Sequence, residues 1–182
     1  TTLLTSVWAK MYRRQALERQ KPVFREDLAL GEDALFNLNF LKDCRSIAVE
    51  NKALYVYKQR SGSGSLTKDD GRSRLVLSEN VLTAAENLAS EKGIYPQVQE
   101  RLWKVYYKDC MNYLEKFPFS ERKKYAAELL KREVLIKTLR TEKSKQTDMR
   151  LYHFFLGSRN KFLVSVFAEM RKTAKKVLRG GN

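Results

Sequence analysis

In successive stretches between Leu77 and Leu178 the apolar residues recur at every third or fourth position, and that period directs most of this chain into helices. Leu77, Val81, Ala84 and Leu88 form one stripe, closed by Gly93 at a C-cap. Pro96 suits the first turn of the next helix, whose apolar face continues through Val98, Leu102, Val105, Tyr106, Tyr113 and Phe117. Phe117-Pro118-Phe119 breaks it, and Ser120 is placed to cap a further helix. Tyr125, Leu129 and Leu139 mark the buried side of that helix, which is expected to end near Arg140. Thr141 to Gln146 is polar and reads as an exposed connection. From Lys161 onward, Leu163, Val166, Phe167, Met170, Ala174, Val177 and Leu178 share a face, with Lys161, Lys172, Lys175, Lys176 and Arg179 opposite. A basic amphipathic helix of this kind suits docking on its own domain or on a partner, or contact with anionic lipid.

The N-terminal part reads differently. Leu3 to Tyr12 looks extended and runs into a short helix, Arg13 to Arg19, which Lys21-Pro22 ends. Gly31 then opens a helix from Glu32 to Asp43, with Ala34, Leu35, Leu38 and Leu41 as its buried stripe. Glu32 and Asp33 fall in its first turn, where free backbone N–H groups favour negative charge. Acids there are ordinary helix-start signals. In a cleft, the same two carboxylates can share the work of taking a proton and holding a hydroxyl. A glycine beside them lets another backbone or a ligand come close. Ile47-Ala48-Val49 and Leu54-Tyr55-Val56-Tyr57 are β-like runs; in the second, Leu54 and Val56 share one face, Tyr55 and Tyr57 the other. Two strands alone are marginal in water, so they call for a larger sheet beside them. Ser61-Gly62-Ser63-Gly64-Ser65 is a flexible loop by composition.

Charge is concentrated at one end. The chain of 182 residues carries a formal charge of +15, yet residues 1–119 hold 19 basic and 15 acidic groups and residues 120–182 hold 17 and 6. Such an excess implies an anionic partner: lipid head groups, nucleic acid or a phosphate-bearing substrate. Nucleic acid is disfavoured, because the basic residues are not interleaved with aromatics and no helix-turn-helix pattern stands out. Cys44 and Cys110 lack metal-like spacing and read as buried thiols of a reducing compartment. The single histidine, His153, excludes a multi-histidine metal site. No signal peptide is visible, and no apolar run approaches the about 18 residues that span a bilayer. The start Thr-Thr-Leu-Leu, without methionine, reads as a piece of a longer protein, expected to be cytoplasmic and peripheral at the inner face of the cell membrane.

Three blocks occur in order: Lys10-Met11-Tyr12-Arg13-Arg14, Glu32-Asp33, and Tyr55-Val56-Tyr57-Lys58-Gln59-Arg60-Ser61-Gly62-Ser63. Together they resemble the C-terminal half of the catalytic domain of family-2 inverting nucleotide-sugar glycosyltransferases, where K-x-Y-R-R, a glutamate-aspartate pair and Y-x-Y-x-x-R-x-x-S follow one another. The resemblance covers about the first 65 residues. It implies a chain that is mostly α with a few short β-strands. Residues 1–65 would form the acceptor-side half of a partial α/β glycosyltransferase A-type (GT-A) domain, and residues 66–182 a C-terminal helical bundle.

By the same resemblance Asp33 is the base that deprotonates an acceptor hydroxyl, and Glu32 orients it or holds the acceptor. Arg60 meets the leaving diphosphate, with Ser63 on a flap over it. Trp8 offers a face for a sugar ring and Lys10 a charge for phosphate or an acceptor carboxylate; a packed tryptophan and a snorkelling lysine are the plainer alternatives. The partners would be a nucleotide-sugar donor and a carbohydrate or lipid-linked acceptor, in polysaccharide, glycolipid or glycoconjugate synthesis. A divalent metal, Mg or Mn, is implied as cofactor. The family's donor- and metal-binding aspartates precede these blocks and do not occur here, since Asp69-Asp70 follows the Y-x-Y element. This chain alone is therefore expected to be inactive. The competing reading is a non-enzymatic basic helical module that binds nucleic acid or another anionic partner through its C-terminal third.

Overall fold

A computed structural model describes residues 6–25, 28, 31–56, 71–140 and 147–180. Among them the helices are α1 (Arg14–Gln20), α2 (Glu32–Leu41), α3 (Arg72–Glu91), α4 (Tyr95–Glu115), α5 (Phe119–Leu129), α6 (Glu133–Leu139), α7 (Thr147–Gly157) and α8 (Lys161–Gly180). The chain divides into two compact units, Thr1–Pro96 and Gln97–Asn182. No described helix is long and apolar enough to cross a membrane.

In the first unit α3 packs on α2. Five consecutive residues of α2, Ala34 to Leu38, are buried, so this helix is enclosed rather than striped. The second face is supplied by the segment ahead of α1 and by Phe24, whose ring stacks on Phe36 at 4.3 Å. On α3 the buried set is Leu75, Ser78, Leu82, Glu86 and Ala89, while the expected stripe of Leu77, Val81, Ala84 and Leu88 is half-buried. Glu86 sits inside because the Tyr95 hydroxyl donates to its Oε1 at 3.0 Å. The end of α3 follows the expectation. Gly93 takes the left-handed conformation at φ 68°. Its N–H reaches Ser90 O, and Ile94 N–H reaches Ala89 O at 2.9 Å, the paired bonds of a Schellman cap.

The expected α/β character is not there. Among the described residues there is no strand and no sheet, so the partial GT-A domain with short β-strands is replaced by an all-helical architecture. Ile47, Val49, Leu54 and Val56 lie in irregular backbone and are 62–78% exposed. The physical reason is the one that makes isolated ribbons marginal. β-Propensity expresses packing on neighbouring strands, and no described strand lies beside these runs.

In the second unit α5 packs on α8, α8 on α7, and α7 on α6. The helix expected from Ser120 to Arg140 is two helices, parted by a turn at Leu130–Arg132, and α5 starts one residue before Ser120, with Pro118 at its cap. A straight helix would put Leu135 about 240° from Leu129 around the axis. Breaking the helix lets both reach the interior, where each is fully buried. On α4 the core side is Trp103, Tyr106, Tyr107, Cys110, Met111, Tyr113 and Leu114, with Val105 outside. Cys110 is buried, Cys44 partly so, and neither is in a disulfide. His153 is buried, its ring edge-on to Tyr107.

Arg122 of α5 is the polar centre of this unit. Its side chain is fully buried, and it donates to the carbonyls of Leu114 (2.9 Å), Phe117 (2.9 Å) and Ser165 (3.4 Å) and to Glu169 Oε2 (2.6 Å). Two of these carbonyls lie at the C-terminal end of α4, where a cation complements the helix dipole. A buried guanidinium is tolerated because its donors find acceptors in this way.

Candidate functional site

The Glu32-Asp33 turn is built on Gly31, which adopts φ 83° as N-cap and whose carbonyl accepts the Leu35 N–H at 3.1 Å. The close neighbour that this glycine admits is Leu77 of α3: a Cβ at position 31 would stand 1.7 Å from Leu77 Cδ1. Position 31 thus demands glycine twice, for its conformation and for its space.

Asp33 projects from the first turn to the chain ahead of α1, where its Oδ2 accepts the Val7 N–H at 3.1 Å. One helical turn later Asn37, buried, donates through Nδ2 to the Ser6 carbonyl at 2.9 Å and accepts the Tyr12 hydroxyl through Oδ1 at 2.5 Å. Residues 33 and 37 therefore grip one peptide, Ser6–Val7, from one face of α2. Tyr12 completes the clasp, its ring edge-on to Phe36 and Phe40 at 5.7 and 5.1 Å. Burial, and then the Asp33 charge, hold the Tyr12 hydroxyl above its ordinary value of 10.0. Glu32 Oε2 is buried and makes no hydrogen bond with the described residues.

The remaining expected residues fall around this clasp. Trp8 follows the gripped peptide and stacks on Tyr55 at 5.3 Å and 19°, both rings about half exposed. Lys10 turns its Nζ back to the Ser6 carbonyl. Of the arginines after Tyr12, Arg13 caps α1 and Arg14 pairs with Glu18 at 2.7 Å on the surface. Trp8, Lys10, Glu32 and Asp33 thus share one neighbourhood in the first unit, whereas Arg60 and Ser63 lie outside the described residues. From sequence Asn37 has no site role, and Tyr55 figures only in the β-like run and as the first residue of the Y-x-Y block. Asn37 carried a signal, as the first polar side chain after an apolar run, one turn beyond Asp33. Among the described residues no group of three His, Cys, Asp or Glu could hold a metal ion, so the divalent cation implied by the resemblance finds no ligand set there.

No protein-family model matches the chain. No solved structure matches it either. A curated protein does: over 63 residues, 35% of this chain, it is 32% identical to "Uncharacterized glycosyltransferase EpsJ" of Bacillus subtilis (strain 168). The match spans 18% of that relative's length. Over about a third of its length, then, the chain is similar to part of a glycosyltransferase.

Proposed function

We propose that this chain is the acceptor-side part of a family-2-like inverting glycosyltransferase, and that Asp33 is its general base. The observation that carries the reading is the 63-residue likeness to a glycosyltransferase. In support, Asp33 has one oxygen engaged by a backbone N–H, an arrangement that fixes a carboxylate while the other oxygen, Oδ1, stays outside that bond. In the proposed reaction Oδ1 takes the proton of an acceptor hydroxyl as its oxygen bonds to the anomeric carbon from the face opposite the leaving nucleoside diphosphate. Glu32, beside it in the same turn, orients the base or holds the acceptor. The half-exposed Trp8–Tyr55 pair offers an apolar face to a sugar ring, and Lys10 and Arg60 supply positive charge, with Ser63 beside the diphosphate. A divalent ion would neutralise that diphosphate when bound. Its ligands would come from other parts of the protein.

Donor turnover by the complete protein, wild type against Asp33→Asn, tests this reading. Asparagine can present its amide oxygen to the Val7 N–H, so the clasp survives while the proton acceptor is gone. A loss of about 100-fold or more with unchanged melting is expected. Wild-type turnover in the variant would refute the assignment of the base.

A further inference from the structure

Helix α8 leaves part of the face that its apolar residues share uncovered. Val164, Ser165, Phe167 and Ala168 point inward, Phe167 against Tyr152 and Phe155 of α7. Met170, Val177 and Leu178 are left 60%, 70% and 78% exposed. With Phe119 of α5 they line an open apolar groove. Phe162 continues the strip toward the start of α8, and the Lys123 ammonium stands 4.9 Å from the centre of its ring. Lys172 and Lys176 lie near enough to Glu169 to help hold its carboxyl below the ordinary range, behind the larger effect of the Arg122 hydrogen bond. Among the described residues the one acid lining the groove is thus bound to a buried arginine, and Lys123, Lys172 and Lys176 stand near Phe162 and that acid.

We infer that this strip is a docking surface for an anionic lipid bilayer, with Met170, Val177 and Phe162 entering the interface and Lys123, Lys172 and Lys176 at the level of the phosphates. Charge selects this occupant. Residues 120–182 carry 17 basic and 6 acidic side chains, so a second copy of the chain would set lysines against lysines. The helix is too polar to cross a membrane but has the form of one lying on its surface. This binding mode is independent of glycosyl transfer.

Flotation of the 182-residue chain with vesicles of phosphatidylcholine, with and without phosphatidylglycerol, tests the inference. Binding is expected only with phosphatidylglycerol and is released in about 0.5 M salt. At about fivefold per lysine, K172Q/K176Q should bind about 25-fold more weakly. M170S/V177S, altered at exposed positions and checked for unchanged melting, should lose binding altogether. Three results would overturn the proposal. The first is wild-type binding by M170S/V177S, which would mean that bulk charge alone adsorbs. The second is no flotation with anionic vesicles. The third is self-association in sedimentation velocity that M170S/V177S abolishes, which would make a second copy the occupant.

Discussion

Gly31→Ala should be among the most damaging single-methyl additions in the first unit, because two separate costs meet at one atom. Alanine at φ 83° carries the left-handed penalty, about 1–2 kcal/mol. Its Cβ would also stand 1.7, 2.7 and 2.8 Å from Cδ1, Cγ and Cδ2 of Leu77, so the whole side chain, not one methyl, must leave its place. Overpacking of that kind costs about 1–3 kcal/mol, for a total of about 2–5 kcal/mol. The two costs separate in a double-mutant cycle. Leu77→Ala alone loses packing, about 2 kcal/mol for this half-buried leucine. In Gly31→Ala/Leu77→Ala the clash is absent, so the pair should be less destabilised than the sum of the singles by about 1–3 kcal/mol, the backbone cost remaining. Urea unfolding followed by circular dichroism, with hydrogen exchange of the α2 and α3 amides as the probe local to this unit, reads the cycle. A Gly31→Ala variant within about 0.5 kcal/mol of wild type, or a strictly additive cycle, would refute the packing of Leu77 over this glycine.

Asn37→Leu keeps volume but takes the acceptor from the Tyr12 hydroxyl and leaves the Ser6 carbonyl to Lys10 alone; it should cost about 1–3 kcal/mol and speed exchange of the Val7 amide, and unaltered exchange would disprove the clasp. Arg122→Met removes one donor from each of the Leu114, Phe117 and Ser165 carbonyls and should destabilise the second unit by about 3–5 kcal/mol in urea; a neutral result would mean that α4, α5 and α8 do not depend on this cation. Glu169 gives that contact a pH dependence. Its carboxyl is lowered in the folded state by the Arg122 hydrogen bond, so its contribution is present above the ordinary value of 4.5 and is lost as pH falls below it. The effect should be small, since the side chain is 44% exposed, and Glu169→Gln should flatten the acid limb of a melting-temperature profile.

Elements whose signal is carried by local backbone chemistry were legible in the sequence. Gly93 after α3, Pro96 inside the first turn of α4, and the acidic pair opening α2 each announce a helix end through φ preference or dipole, and each stands where expected. Which side of a helix finds a neighbour was not legible. Apolar spacing on α3 marked Leu77, Val81, Ala84 and Leu88, but Leu75, Ser78, Leu82, Glu86 and Ala89 are the residues enclosed, Glu86 because the Tyr95 hydroxyl meets it. On α8 the shared apolar face and the buried face overlap only in part: Phe167 belongs to both, but Ser165 and Ala168 are enclosed while Met170 and Val177 are exposed. The β-like runs misled for a related reason: branched and aromatic side chains state a preference for a pleated surface, and the surface must be provided by other strands. Of the candidate site, the acidic pair was visible as a motif. Its partners, the Val7 N–H and Asn37, became visible only when tertiary structure brought residues 26 and 31 positions apart together.

Asp33 carries two roles that substitution can pull apart. As a structural acceptor it holds Val7, and with it the placement of Trp8 one residue on. As a proposed base it needs only an oxygen with a lone pair that can be protonated. Asp33→Asn spares the first role and removes the second. Asp33→Ala removes both, and the freed Val7 N–H adds about 1–2 kcal/mol of lost stability if water does not reach it. A purely structural role is therefore distinguishable from a catalytic one. If Asp33 serves the clasp alone, Asn should behave like wild type in both stability and turnover of the complete protein, while Ala loses both together. If Asp33 is the base, Asn and Ala should be equally inactive and differ only in stability and in exchange at Val7. Equal activity loss with unequal stability loss is a pattern that a role confined to holding the Ser6–Val7 peptide does not produce.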